Sequence, residues 1–303
     1  MSDDDLRQEA TELIRSGVAR GRFTYEQIVA DAVEYLADEH DEEGLSELAE
    51  QIARQEFAAH LAEQATWPAR TDSDRLTDAF RALDRAGIVA RQDFACCQNC
   101  GVSEIGDEVL PKLPARGYVF YHQQDAERAV EGGGVYLRYG SFEGAAAETI
   151  GAEVADALRA EGLSVNWSGS AGQRIHVPLR WARRRFGRLA AYGENGDVTT
   201  APDLVDVALK HASARPMEPA EMIDVLRQVP TRTDAWLSAV NDAGCVQVAW
   251  EDGQLWLETP DPSAGASIGK YATLAEAEQV LTVLATERRV AVTDLDGVIT
   301  KRW

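Results

Sequence analysis

The chain has no apolar run near the roughly 20 residues that span a bilayer, so no membrane-spanning segment is expected. Its opening, "MSDDDLRQEA", lacks the basic and apolar regions of a signal peptide, and a cytoplasmic location is the expectation. Cysteine is scarce, with four in 303 residues, and three of those sit too close together to pair comfortably. A disulfide framework is therefore excluded, which leaves thiols, metal ligands or redox residues. Positive charge is short as well: the net charge is −21. Residues 1–70 hold 17 Asp and Glu against 6 Arg, or −11, about half of that imbalance. Such a surface repels phosphate backbones, so general nucleic-acid binding is not expected. It favours solubility and suits a basic protein partner. No nucleotide loop is present either. The glycines of "VEGGGVYL" (132–134) end a helix and enter a strand, whereas a phosphate loop leaves a strand and opens a helix.

What is present reads as an α+β protein. The 45% hydrophobic fraction suits a globular chain long enough for about two domains. The first quarter is helical. Leu6, Ala10, Leu13 and Ile14 form one stripe, and Ile28, Ala32, Tyr35 and Leu36 another behind a capping box at Thr24 and Gln27. A third helix covers "LSELAEQIARQEFAAHLAEQATW" after the acidic loop "DEHDEEG", and a fourth covers "DSDRLTDAFRALDRAG", closed by Gly87. Strands "IVARQDFA", "GYVFYHQQ", "VYLRYG", "LSVNWSG" and "QRIHVPLRW" then interleave with two helices, which predicts a ferredoxin-like α+β layer packed with the helical segment.

Residues 1–190 are expected to form this main domain, 191–230 a helical connector and 231–303 a small α+β domain. In the connector, "GENGDVTTAPD" reads as loop, and "DLVDVALKHASA" and "PAEMIDVLRQV" read as helices. In the last part "DAWLSAVNDAG" reads as helix, "CVQVAWEDGQLWLETP" as a hairpin and "TLAEAEQVLTVLATE" as a helix. "RVAVTDLDGVITKRW" reads as a closing hairpin. Its "DLDG" resembles the nucleophile loop of haloacid-dehalogenase-like phosphatases, but too few residues follow for their large domain.

Chemistry concentrates in "DFACCQNCGVSE". Cys97 and Cys100 form a C-x-x-C after a strand, and a helix opening there would favour thiolate. The arrangement is thioredoxin-like, although Gln98 and Asn99 replace the usual small residues and Pro178 is a poor partner proline. Zinc asks for about four ligands. Cys96, Cys97 and Cys100 supply up to three, and His122 another if the first two strands are parallel neighbours. A nucleophilic reading takes Cys97 or Cys100 with His122 as base and Asp125 as orienter. The plainer reading makes the cysteines small buried residues. Glu56, His60 and Gln64 share a helix face that could hold a metal but read as surface or packing residues, and His176 and His211 as structural. The basic run Arg180–Arg188 reads as balancing the acidic helices, with a phosphate or acidic-partner contact as the alternative.

The combination of "WPARTDSDRL", "CCQNCG" and "YHQQD" resembles a family of uncharacterised bacterial proteins, common in actinobacteria, over about residues 6–190. The resemblance implies that the helical and α+β parts form one unit. It carries no reaction. The reading that follows is a cytoplasmic, non-enzymatic binding or regulatory protein, with an immunity-like C-terminal domain and Trp250 and Trp256 as candidate anchors, core packing being expected for at least one of them. Its rival is a zinc-binding or thiol-dependent enzyme built on Cys97, Cys100 and His122.

Overall fold

Three amphipathic helices open the protein: α1 (Asp3–Arg20), α2 (Tyr25–Ala37) and α3 (Leu45–Gln64). Their stripes meet around Ile14, Ile28, Leu36, Ile52 and Phe57. The Thr24–Gln27 capping box is formed and fixes the start of α2. A second capping box, Thr71 with Asp74, starts α4 (Asp72–Arg85). Gly87, at φ 82°, turns the chain out of that helix into the first strand, where a side chain would be strained.

These elements belong to a computed structural model of the chain, which describes residues 3–38, 44–109, 115–142, 146–193, 203–210, 212–229, 235–251 and 253–302. The described residues divide into two units, one up to residue 193 and one from 203 onward. The acidic loop over 39–43, the loop-like stretch over 194–202 and His211 lie outside the described residues.

In the first unit α4 leads into β1 (Ile88–Arg91), α5 (Gln98–Glu104), β2 (Gly117–Phe120), α6 (Gln123–Val130), β3 (Val135–Ser141), α7 (Ala147–Ala160), β4 (Ile175–Val177) and the short α8 (Gly187–Ala190). The sheet order is β1-β2-β3-β4. β1 and β2 are parallel, and the remaining pairs are antiparallel. The class is α+β, but a sequential order with a parallel first pair is not the ferredoxin-like arrangement expected. The strand expected over "LSVNWSG" shrinks to a single bridge between Asn166 and His176. Leu76 and Phe80 of α4 and Ile150 and Val154 of α7 share a core with Val119 and Leu137 of the sheet. A smaller cluster, Val89, Ile105 and Phe120 with Phe94, lies apart from that core.

The second unit comprises β5 (Val205–Leu209), β6 (Ala212–Met217), α9 (Pro219–Gln228), β7 (Trp236–Asn241), β8 (Gly244–Glu251), β9 (Gln254–Asp261), β10 (Ala266–Ala272), α10 (Leu274–Thr286) and β11 (Ile299–Arg302). They build an antiparallel seven-stranded sheet ordered β11-β10-β9-β8-β7-β5-β6. The expected helical connector is corrected here, because Val205–Leu209 and Ala212–Met217 are two strands of this sheet. Val205 and Val207 alternate with exposed Asp206, a period of two that the helical reading passed over. "DAWLSAVNDAG" is likewise strand β7, with Leu237 and Ala239 buried. In place of the expected hairpin around "DLDG", a 3-10 turn at Val292–Asp294 leads into that stretch, and β11 pairs with β10. Pro219 in the first turn of α9 and the Thr273–Glu276 capping box of α10 stand as the sequence implied.

Candidate thiol centre

The cysteine loop leaves β1 at Arg91 and is held from several sides. Asp93 and Ala95 have φ 49° and 59°, left-handed values that cost a non-glycine residue about 1–2 kcal/mol each. The surrounding bonds enforce them. The Arg20 guanidinium grips the buried Asp93 carboxylate at 2.9–3.1 Å. Arg22 donates to the Asp93 carbonyl. The Phe94 N–H donates to the Tyr121 carbonyl at 2.9 Å, and the Gln123 N–H to the Ala95 carbonyl at 3.1 Å. The loop is thus stitched to the residues on either side of His122. α5 follows with Gly101 against Phe120, so close that a Cβ there would sit 2.5 Å from the ring.

This frame gathers Cys96, Cys97 and Cys100. Their sulfur atoms all lie within 4.8 Å of one another, and the Cys96 and Cys100 sulfurs are 3.5 Å apart. Cys96 is exposed and the other two are half-buried. They are neither scattered nor sealed in an apolar core, so the plain packing reading does not describe them. Cys97 is the N-cap of α5. Hydrogen bonds from the Cys100 backbone and thiol and from the Asn99 N–H draw its pKa down. Cys100 is pushed up to about 11 by its hydrogen bonds and proximity to Cys96 and Cys97. Cys97 therefore sheds its proton ahead of Cys100.

The expected strand geometry is present, since β1 and β2 are parallel neighbours. His122 nonetheless stands outside the sulfur cluster. It is the N-cap of α6, 5% exposed, and its Nε2 lies 2.9 Å from Asp125 Oδ2. Asp125 is buried and receives Arg174 Nη1 at 3.1 and 3.2 Å. Burial lowers the His122 pKa, and Asp125 opposes that shift. Its Nδ1 is buried without a hydrogen-bond partner. Asp125 thus orients His122 as the nucleophilic reading asked, but no thiol is hydrogen-bonded to the imidazole.

The other sequence candidates hold the fold together. Glu56 binds Arg15, His60 Nε2 meets the Arg183 carbonyl at 3.1 Å, and Gln64 brackets the Arg185 backbone at 2.7 and 2.9 Å. Burial lowers the His60 pKa to about 4. The basic run meets the acidic helices only in part, through Arg180 to Glu63 and Arg184 to Asp74, and it is not a solvated face throughout. The fully buried Arg185 donates to the carbonyls of Val18, Phe23 and Leu189. His176 stacks on Tyr136 and meets the Gly133 carbonyl. In the second unit Trp256 is 4% exposed and bonded to Glu258, so it is no free anchor. Trp250 packs against the core, and among the described residues of this unit the exposed tryptophan is Trp236. Sequence reading missed Arg20, Asp93 and Arg174, which lie far in sequence from the residues they hold and belong to no spacing pattern.

A family model described as a domain of unknown function, DUF6891, matches residues 3–185. No curated protein and no solved structure matches the chain.

Proposed function

Because the chain belongs to the DUF6891 family, whose function is not assigned, we propose a function from geometry: a binding centre for a thiophilic metal ion of the zinc class, built on Cys96, Cys97 and Cys100. The observation that carries it is the mutual approach of three sulfurs on a braced surface loop. Zn–S bonds of about 2.3 Å at tetrahedral angles put sulfurs about 3.8 Å apart. The loop already holds one pair at 3.5 Å and all three within 4.8 Å, so little rearrangement of the sulfurs themselves is needed at binding. A metal ion supplies positive charge that completes deprotonation of all three thiols. Titration of zinc into the protein, with Cys96→Ser, Cys97→Ser and Cys100→Ser alongside, tests the reading. One site in the native chain, weakened at least tenfold in each variant, supports it. Equal affinity across the four proteins contradicts it.

A partner-binding role rests on a separate observation. Half-buried Val29 and Val33 line a groove of about 840 Å³ along α2 and α3, rimmed by Glu26, Glu34 and Asp38. An apolar floor with a carboxylate rim suits a basic amphipathic helix. Such a peptide should bind more weakly in high salt and lose most of its affinity to Val33→Asp. Binding insensitive to both changes counts against the groove.

A further inference from the structure

Three thiolates leave one tetrahedral position open, and one side chain beside the loop has the properties of the missing ligand. We infer that His122 Nδ1 is the fourth ligand of the thiol centre, with Asp125 and Arg174 as positioning residues behind it; the inference rests on the metal-binding reading above.

Three observations support it. The first is the pattern of bonds on the imidazole. Nε2 faces Asp125 at 2.9 Å, so this nitrogen carries the hydrogen and donates it to the carboxylate. The lone pair then lies on Nδ1, which is buried and has no partner. A buried nitrogen without a partner is unfavourable, and a metal bond removes that cost. A histidine that donates one ring N–H to a carboxylate while its other nitrogen stays open is the usual arrangement of a zinc-ligating imidazole.

The second is the depth of the support. Asp125 is itself held by Arg174, with 2% of its side chain exposed. Arg174 in turn lies over the Tyr136 ring, 4.9 Å from its centroid. Helix capping does not explain this support, since the His122 side chain makes no cap bond to α6.

The third is position. The Phe94–Tyr121 and Ala95–Gln123 bonds run the cysteine loop alongside His122, one residue from Cys96. Phe120 and His122 are two apart on an extended stretch, so they share a face. Gly101 of α5 lies against Phe120. Cys97, whose carbonyl accepts the Gly101 N–H, sits one helical turn earlier. The imidazole is outside the sulfur cluster in the structure, so metal entry draws loop and ring together.

The test uses cobalt(II) as a probe for zinc in the full-length protein, with X-ray absorption on the zinc-loaded native chain. Expected are thiolate-to-cobalt charge-transfer bands for three sulfurs, tetrahedral ligand-field bands, and zinc-edge scattering from one imidazole. His122→Asn should keep the charge-transfer bands, shift the ligand-field bands and bind zinc 10–100-fold more weakly. Asp125→Asn should weaken binding 10–100-fold with the imidazole scattering retained. Charge-transfer bands without imidazole scattering, and an unshifted His122→Asn spectrum, overturn the role of His122 and leave the thiol centre standing. The native chain giving no charge-transfer bands overturns the thiol centre, and this inference with it. The absorption measurement needs no substitution, so a variant that fails to fold does not block the decision.

Discussion

At the residue scale, the Asp93–Arg20 pair governs the cysteine loop. Both side chains are under a tenth exposed, so removing one strands a buried charge, at a cost of about 3–5 kcal/mol. Asp93→Ala should lower the denaturant midpoint accordingly and weaken metal binding, because the loop loses its brace. An unfolding free energy within about 1 kcal/mol of native would show that the pair carries no such load. His60 gives a second residue-level expectation. Its folded pKa, about 4, lies below the ordinary 6.5, so the unfolded chain binds the extra proton between those values. Its contribution to stability is complete above pH 6.5 and is lost as pH falls to about 4. Thermal melts over that range should fall less steeply for His60→Gln than for the native protein. Parallel slopes would mean that the imidazole titrates normally.

At the scale of elements, α5 is placed by a glycine. A Cβ at Gly101 would press into the Phe120 ring, and Gly101→Ala should cost about 1–3 kcal/mol and shift the C-x-x-C away from the sheet. Unchanged stability and metal affinity would show that the contact relaxes freely. The elements also show how far the sequence could be read. The helices before residue 86 and the capping boxes at Thr24 and Thr273 were legible, because caps and stripes are local signals. "DLVDVALK" and "DAWLSAVN" were not. Each mixes Ala and Leu, which favour helix, into a period-two pattern, and long-range pairing with neighbouring strands decides for sheet. The thiol centre was half legible. Cys96, Cys97 and Cys100 stand out by spacing, and the parallel placement of β1 and β2 was the condition set for His122. The bracing by Arg20 and the chain from Arg174 through Asp125 depend on tertiary contacts that no local pattern records.

At the scale of the whole molecule, the thiol centre and its supports belong to the unit up to residue 193, while the described residues from 203 onward form their own sheet and core. A chain ending at residue 193 should therefore keep the metal site, with zinc affinity within about threefold of full length. A tenfold loss would tie the second unit to the centre. The central claim, that the three thiols form a metal site, is tested most directly by elemental analysis of full-length protein purified without chelator, read before and after zinc loading. The account predicts close to one equivalent of zinc after loading, released on blocking the thiols. Less than a tenth of an equivalent in both samples would contradict it.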